Sequence, residues 1–328
     1  MAVGAAAADD QSDGSFALPR DVVQAATAFQ SYMASAAKID AGFTNGNGVE
    51  KHLRTGSAYE AAQLEEGMIA YGAVVAMQDD RFVAGVQAAA GRGDARSAFA
   101  DRLVQDPYAA TRIDGAGEAG QRVAAAWAAD ASPLVAAGVQ VKAAAYSVQH
   151  QSWSKVMVVN AAGRLATVKS LSAQRLEPSE GDSQAMMQSV STAAPLAGAA
   201  GDSTASFTPV QARALALAAE SIVGRAQGAD RDRLTPLLTE HESAFCLKMA
   251  KLNLYQCMAV AGPQYEDIFC LGQHAMYDTA SCVAQASQGV GAASTVAMLS
   301  PRPAAAAAPQ AAYTTLVAHH SLRIAPNN

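Results

Sequence analysis

"FCLKMAKLNLYQC", Phe245 to Cys257, and "FCLGQHAMYDTASC", Phe269 to Cys282, hold all four cysteines of a 328-residue chain. Cys246 and Cys257 lie 11 residues apart, about three helical turns, so one helix carries both sulfurs on nearly one face, roughly 16 Å apart. Between the two stretches, Gly262-Pro263 supplies a residue tolerant of left-handed backbone and then one that cannot continue a helix. Cys270 and Cys282 lie 12 residues apart, which an ideal α-helix leaves about 120° out of phase. Folded antiparallel about Gly262, the midpoints of Cys257–Cys270 and Cys246–Cys282 coincide to within a residue. Among the connectivities open to four cysteines, this spacing predicts those two nested bridges, with the phase error at Cys282 as its soft point. A zinc site fits less well, because its sulfurs must lie about 2.3 Å from one ion while the two levels differ by about three turns. Free buried thiols are the remaining alternative.

Working outward, apolar residues make up 51% of the chain but aromatic residues only 6%. The apolar mass is therefore small side chains, alanine above all, which favours many close-packed helices over a core of bulky anchors. The expected fold class is all-α, a multi-helix bundle with a disulfide-stapled antiparallel helical hairpin near the C-terminus and disordered tails. Residues 1–18 read as a disordered leader or signal remnant, 19–176 as an N-terminal helical domain, and 177–207 as a linker. The segment 208–286 reads as a C-terminal helical region carrying the cysteine hairpin, and 287–328 as a disordered Ala/Pro-rich tail.

Local signals mark the elements. Val22, Val23, Ala26, Phe29, Met33 and Ala37 form one buried helical stripe that ends at the turn Thr44–Gly48. Ser57 with Glu60 reads as a capping box opening the next helix, and shorter helices follow near 80–90 and 95–105. Ser132-Pro133 reads as a cap followed by proline at the first helical position, opening a long helix toward Leu176. Thr208-Pro209 and Thr235-Pro236 open two more, the second running into the cysteine block.

The paired C-x(10)-C and C-x(11)-C helices resemble the doubly bridged helical hairpins of small exported or intermembrane-space proteins. That resemblance covers about 40 residues and implies architecture rather than activity. More loosely, "AYSVQHQSWSKVMVVNAAGRLATVKSLSA" and the Ala-rich helices resemble uncharacterised exported proteins of alphaproteobacteria, which bring no activity with them.

For compartment, the disulfides require oxidising surroundings. Ala5-Ala6-Ala7 has the small-x-small form of a signal-peptidase site, without the basic and apolar regions that precede one. A periplasmic or secreted protein is expected, with a cytoplasmic protein bearing an Ala-rich leader as the alternative. No segment is expected to span a membrane, because the long charge-free stretches are rich in Ser, Gln, Thr and Gly.

Chemistry is sparse. The chain contains no G-x-x-x-x-G-K-[ST], G-x-G-x-x-G after a strand, H-E-x-x-H, G-x-S-x-G or C-x-x-C-H. No cofactor and no metal site are expected, and no catalytic residue is assigned. A net charge of -6 with 16% charged residues argues against a general nucleic-acid binder. Tyr146, His150, Trp153 and Met157 follow a 4-3-4 spacing and, on one helix, would share a face that lines a pocket or packs in the core. From Pro133 to Leu176 there are five basic residues and no acidic ones: Lys142, Lys155, Arg164, Lys169 and Arg175. These either face an anionic surface or pair with acidic neighbouring helices. The functional expectation is an exported, non-enzymatic structural or interaction protein with an unknown protein or cell-envelope partner. The alternative is a small-ligand binder or hydrolase with an inter-helix pocket near His150 and Trp153.

Overall fold

Alternating small apolar residues build the centre of the molecule. In the computed structural model, which describes residues 16–192, 206–226 and 231–288, thirteen α-helices follow one another. The only extended pairing among the described residues is an isolated bridge between Met157 and Pro263. The expected tails lie almost wholly outside the described residues. In helix α3 (Ala61–Ala76) each residue from Gln63 to Ala76 is buried, Glu65 and Glu66 included, which marks an interior helix rather than a surface one. It lies against α1 (Arg20–Ala37), whose stripe Val22, Val23, Ala26, Phe29 and Met33 is buried as its spacing requires, while Ala37 at its end is only partly buried. A Cβ at Gly67 would overlap the Ala25 carbonyl oxygen, so the two backbones meet where only glycine fits. On its other side α3 meets α9 (Pro209–Ile222), capped by the reciprocal Thr208 and Gln211 side chains and also buried nearly throughout.

Helix α6 (Ala116–Val148) crosses this centre, and Trp127, fully buried, donates its indole N–H to the Met68 carbonyl at 3.0 Å. Pro133 does not open a helix as its position after Ser132 implies; it lies inside α6. Ser132 Oγ donates back to the Ala128 carbonyl at 2.7 Å instead of capping forward. Buried Trp127, Ala131 and Leu134 on either side hold the helix through the proline, a case of packing overriding a local break signal. The helix expected to reach Leu176 stops at Val148, and α7 (Ala161–Ser172) begins only after a turn and an extended stretch.

Other boundaries also shift. The Thr44–Gly48 segment does more than turn: Asn45 caps a helix α2 (Gly46–Ser57), accepting from Gly48 N at 3.0 Å. Ser57 closes α2, and Glu60 alone caps α3 through its carboxylate on Ala62 N and Gln63 N. Helices α4 (Asp80–Ala90) and α5 (Asp94–Gln105) fall where expected. Within the 177–207 segment, α8 (Glu180–Thr192) packs Met186 and Val190 against the core beside α1. Pro236 lies inside α10 (Arg231–Leu238), and α11 (His241–Val260) starts afresh with Glu240 as its cap. Helices on both sides of the 177–207 segment share one core, and all described residues belong to one compact unit.

The cysteine hairpin has the expected pairing. Helix α11 turns at Gly262-Pro263 into α12 (Gln264–Cys270), a π-helical segment Leu271–Asp278, and α13 (Thr279–Ala286). Cys246 bonds Cys282 and Cys257 bonds Cys270, with no cysteine left free. The π segment resolves the phase error. One extra residue in a turn rotates everything beyond it by about 100°, so a single π turn removes most of the 120° between Cys270 and Cys282. Such a turn loosens the backbone carbonyl pattern, and the Ala275 carbonyl accepts from Tyr32 Oη at 3.0 Å. Opposite, Gly138 of α6 and Gly272 bring two backbones together, a Cβ on Gly138 reaching 2.8 Å from Tyr277 N.

Candidate functional site

The tip of this hairpin holds the surface that stands apart from the rest of the protein. After α6 ends, Ser154 is fully buried and its hydroxyl donates to the Gln151 carbonyl at 3.0 Å and to the Val148 carbonyl, which folds the loop back. The chain then runs extended through 156–158 alongside the hairpin turn and bends at Val159. Val158 N donates to the Gly262 carbonyl at 2.9 Å, and Gln264 N donates to the Val156 carbonyl at 3.2 Å. Asn160 ends the stretch by capping α7, its Oδ1 accepting from Gly163 N at 2.9 Å.

Pinned in this way, the backbone presents apolar side chains to water. Val156 is 55% exposed, Met157 63%, Val159 100% and, on the neighbouring end of α11, Val260 83%. Single exposed apolar residues are ordinary, but four held at one hairpin turn single it out as a candidate contact surface.

Beneath the tip lies a buried ion pair. Arg164, in the first turn of α7, donates to the Met258 carbonyl at 2.8 Å and the Ala261 carbonyl at 3.0 Å, supplying partners at the C-terminal end of α11. Its other terminal nitrogen meets the Asp267 carboxylate at 2.7 Å, with the two side chains 8% and 2% exposed. Burial pushes the Asp267 carboxyl up to about 7 against the opposing pull of Arg164. Farther along α11, Lys251 is buried, with Nζ 2.8 Å from the Ser57 carbonyl, 2.9 Å from Ser172 Oγ and 3.3 Å above the Tyr59 ring. It ties the ends of α2 and α7 to the hairpin, and burial drives its pKa well below the ordinary lysine value.

Two hollows flank the tip. One of about 390 Å³ is walled by Tyr146, Gln149, Tyr265, Phe269 and the Cys257–Cys270 bridge. Tyr146 and Phe269 meet edge to face there, with centroids 6.1 Å apart. The other, about 640 Å³, has Val158, Val159, Arg164 and Asp267 in its wall.

The residues expected on one helical face are separated. Tyr146 is on α6, His150 is exposed in the turn beyond it, Trp153 is half-buried in a short 3-10 turn, and Met157 lies across Gly262. Of the four, only Tyr146 lines the 390 Å³ hollow. The five basic residues divide as well. Arg164 pairs with Asp267, and Arg175 pairs with Glu66 at 3.2 Å. Lys142 donates to Gln273 at 2.6 Å, Lys169 lies 5.7 Å from the Tyr255 ring centroid, and Lys155 is exposed beside Val156.

What the sequence reading missed is the tip itself. The run Val156-Met157-Val158-Val159 is rich in β-branched residues, a signal against continuing a helix. Among the described residues, no group of three or more His, Cys, Asp or Glu is placed to hold a metal ion. No described helix is long and apolar enough to cross a membrane. Two disulfides belong to a non-reducing compartment. Compared with known proteins, the chain matches no family model, no curated protein and no solved structure.

Proposed function

We propose that this chain is an exported, non-enzymatic helical interaction protein, periplasmic or secreted, whose working surface is the tip of the stapled hairpin. The observation that carries the reading is the ordered exposure of Val156, Met157, Val159 and Val260 on a backbone tied to the hairpin turn. A globular chain ordinarily hides such a group, and an unsupported loop would collapse it inward. Here a disulfide, a buried ion pair and two backbone hydrogen bonds hold it out. The export half of the reading is tested by extracting the protein from its native host under thiol-blocking conditions. Oxidised cysteines are expected; four alkylated thiols would rule export out. The interaction half is tested by placing a photo-crosslinker at position 159, where adduct formation in the host is expected and its absence counts against the tip.

A second reading, a small-ligand binder, draws on the aromatic hollow of about 390 Å³ around Tyr146 and Phe269. It predicts that a bound small aromatic or apolar molecule perturbs the Tyr146 environment. Trp153 fluorescence and Tyr146 ring resonances that ignore every candidate ligand would set it aside.

A further inference from the structure

We infer that the hairpin tip docks on the surface of a lipid bilayer carrying anionic headgroups, with Val156, Met157 and Val159 entering the interface and Lys155 lying among the phosphates. The inference rests on the interaction reading above and names its partner.

Charge complementarity argues for this partner. The stretch from Pro133 to Leu176 has five basic residues and no acidic one. Arg164 is buried against Asp267, and Arg175, half-exposed, pairs with Glu66. Among the described residues, no ion pair engages Lys142, Lys155 or Lys169. Each carboxylate nearest the tip has a partner within the molecule or is buried, though Glu266 keeps its charge. Glu266 accepts from Gly262 N at 2.8 Å, Glu50 pairs with Arg54 at 2.8 Å, and Asp267 is buried. The charge that directly adjoins the apolar run in sequence is the exposed Lys155, next to Val156.

The kind of side chain at the tip separates a bilayer from a protein partner. Protein interfaces concentrate their energy in Trp, Tyr and Arg anchors seated in pockets, and valine is under-represented there. The exposed apolar residues at the tip are Val156, Met157, Val159 and Val260, with Val159 fully exposed, and none is aromatic. Aliphatic groups on a protruding loop suit hydrocarbon, which needs no complementary pocket. With no described helix able to cross a membrane, the contact is peripheral. An apolar insertion and a basic headgroup contact are each weak alone and adequate together.

The test uses the full-length oxidised chain with vesicles of phosphatidylcholine and phosphatidylglycerol, against vesicles of phosphatidylcholine alone. Cosedimentation is expected with the anionic vesicles at low salt, falling as salt is raised. Lys155→Gln is expected to weaken partitioning about fivefold, and Met157→Asp or Val159→Asp by at least about tenfold. Brominated lipids give a readout independent of the variants. The chain has two tryptophans; Trp127 is fully buried and Trp153 lies three residues before Val156. Quenching confined to the Trp153 contribution is expected, and none is expected with Trp153→Phe. Failure to bind anionic vesicles at low salt, or binding undiminished in Val159→Asp, would overturn the inference. So would a position-159 crosslinker that captures protein and not lipid, which would still leave the interaction reading standing. Reduced cysteines in the host would instead remove the export reading, whatever the vesicles show.

Discussion

The centre and the tip of this molecule are stabilised by opposite means. Around α3 every side chain from Gln63 to Ala76 is buried, helices approach through alanine and glycine, and no covalent link is present. Dense small-residue packing dominates there because each contact is shared by neighbours on all sides, with the buried carboxylates Glu66 and Glu220 paired to arginines at its edge. The hairpin tip has solvent on one side and spends its apolar residues outward. It replaces the missing burial with the Cys257–Cys270 bridge, the Arg164–Asp267 pair and the backbone bonds to Val158 and Gln264. The Cys257–Cys270 bridge lies beside the exposed surface that has to keep its shape, while Cys246–Cys282 ties the other end of the hairpin to the core.

The largest test of this contrast removes both bridges. Closing loops of 13 and 36 residues restricts the unfolded chain by about 3 and about 4 kcal/mol respectively. Replacing all four cysteines with alanine should lower the denaturation midpoint accordingly. Limited proteolysis should then cut first within 241–286, leaving α1, α3 and α9 protected. Cleavage that begins in the central helices would break the contrast.

Next in size is Asp267→Ala, which strands a buried guanidinium and is expected to cost about 3 to 5 kcal/mol in chemical denaturation. A double replacement, Arg164→Met with Asp267→Leu, should recover a large part of that loss, since a buried pair exchanged for apolar groups is often nearly neutral. Equal destabilisation by both variants would mean that Arg164 matters chiefly for the Met258 and Ala261 carbonyls.

A smaller effect is expected from pH. Burial raises Glu65 and Asp267 to about 7 and Asp130 to about 6. The folded chain therefore keeps these protons to higher pH than the unfolded chain does. Their contribution to stability is full below about pH 4 and is lost as pH rises through 6 to 7. The melting temperature should fall by several degrees between about pH 5 and about pH 8 at constant ionic strength, and Asp267→Asn should flatten part of that slope. The smallest expected effect is Val159→Ser, within about 0.5 kcal/mol of the parent in thermal melts, because a fully exposed side chain contributes no packing. A large loss there would mean that the tip is held by its own apolar residues.

The hairpin pairing was readable because sequence separation alone sets which cysteines are level across a turn. The π segment was not, since no residue type announces an i→i+5 turn; only the unresolved phase of Cys282 hinted at one. Ser132-Pro133 and Ser57-Glu60 mislead for a shared reason. Both motifs are chemically valid caps, but burial around Trp127 carries one helix straight through, and Glu60 caps α3 without help from Ser57. The Arg164–Asp267 pair joins residues 103 positions apart, and no local pattern encodes such a partner. The valine run at 156–159 carried the one available clue to the tip, a β-branched cluster inside a segment otherwise suited to helix.

The direct test of a tip held rigid by its staples is amide hydrogen exchange, read separately on the oxidised and the reduced protein. With both bridges intact, the amides of Val158 and Gln264, bonded to Gly262 and Val156, should exchange slowly. Reduction should speed them while those of Ala70 and Leu217 in the centre remain protected. Fast exchange at Val158 in the oxidised protein, or exchange there unchanged by reduction, would contradict the account.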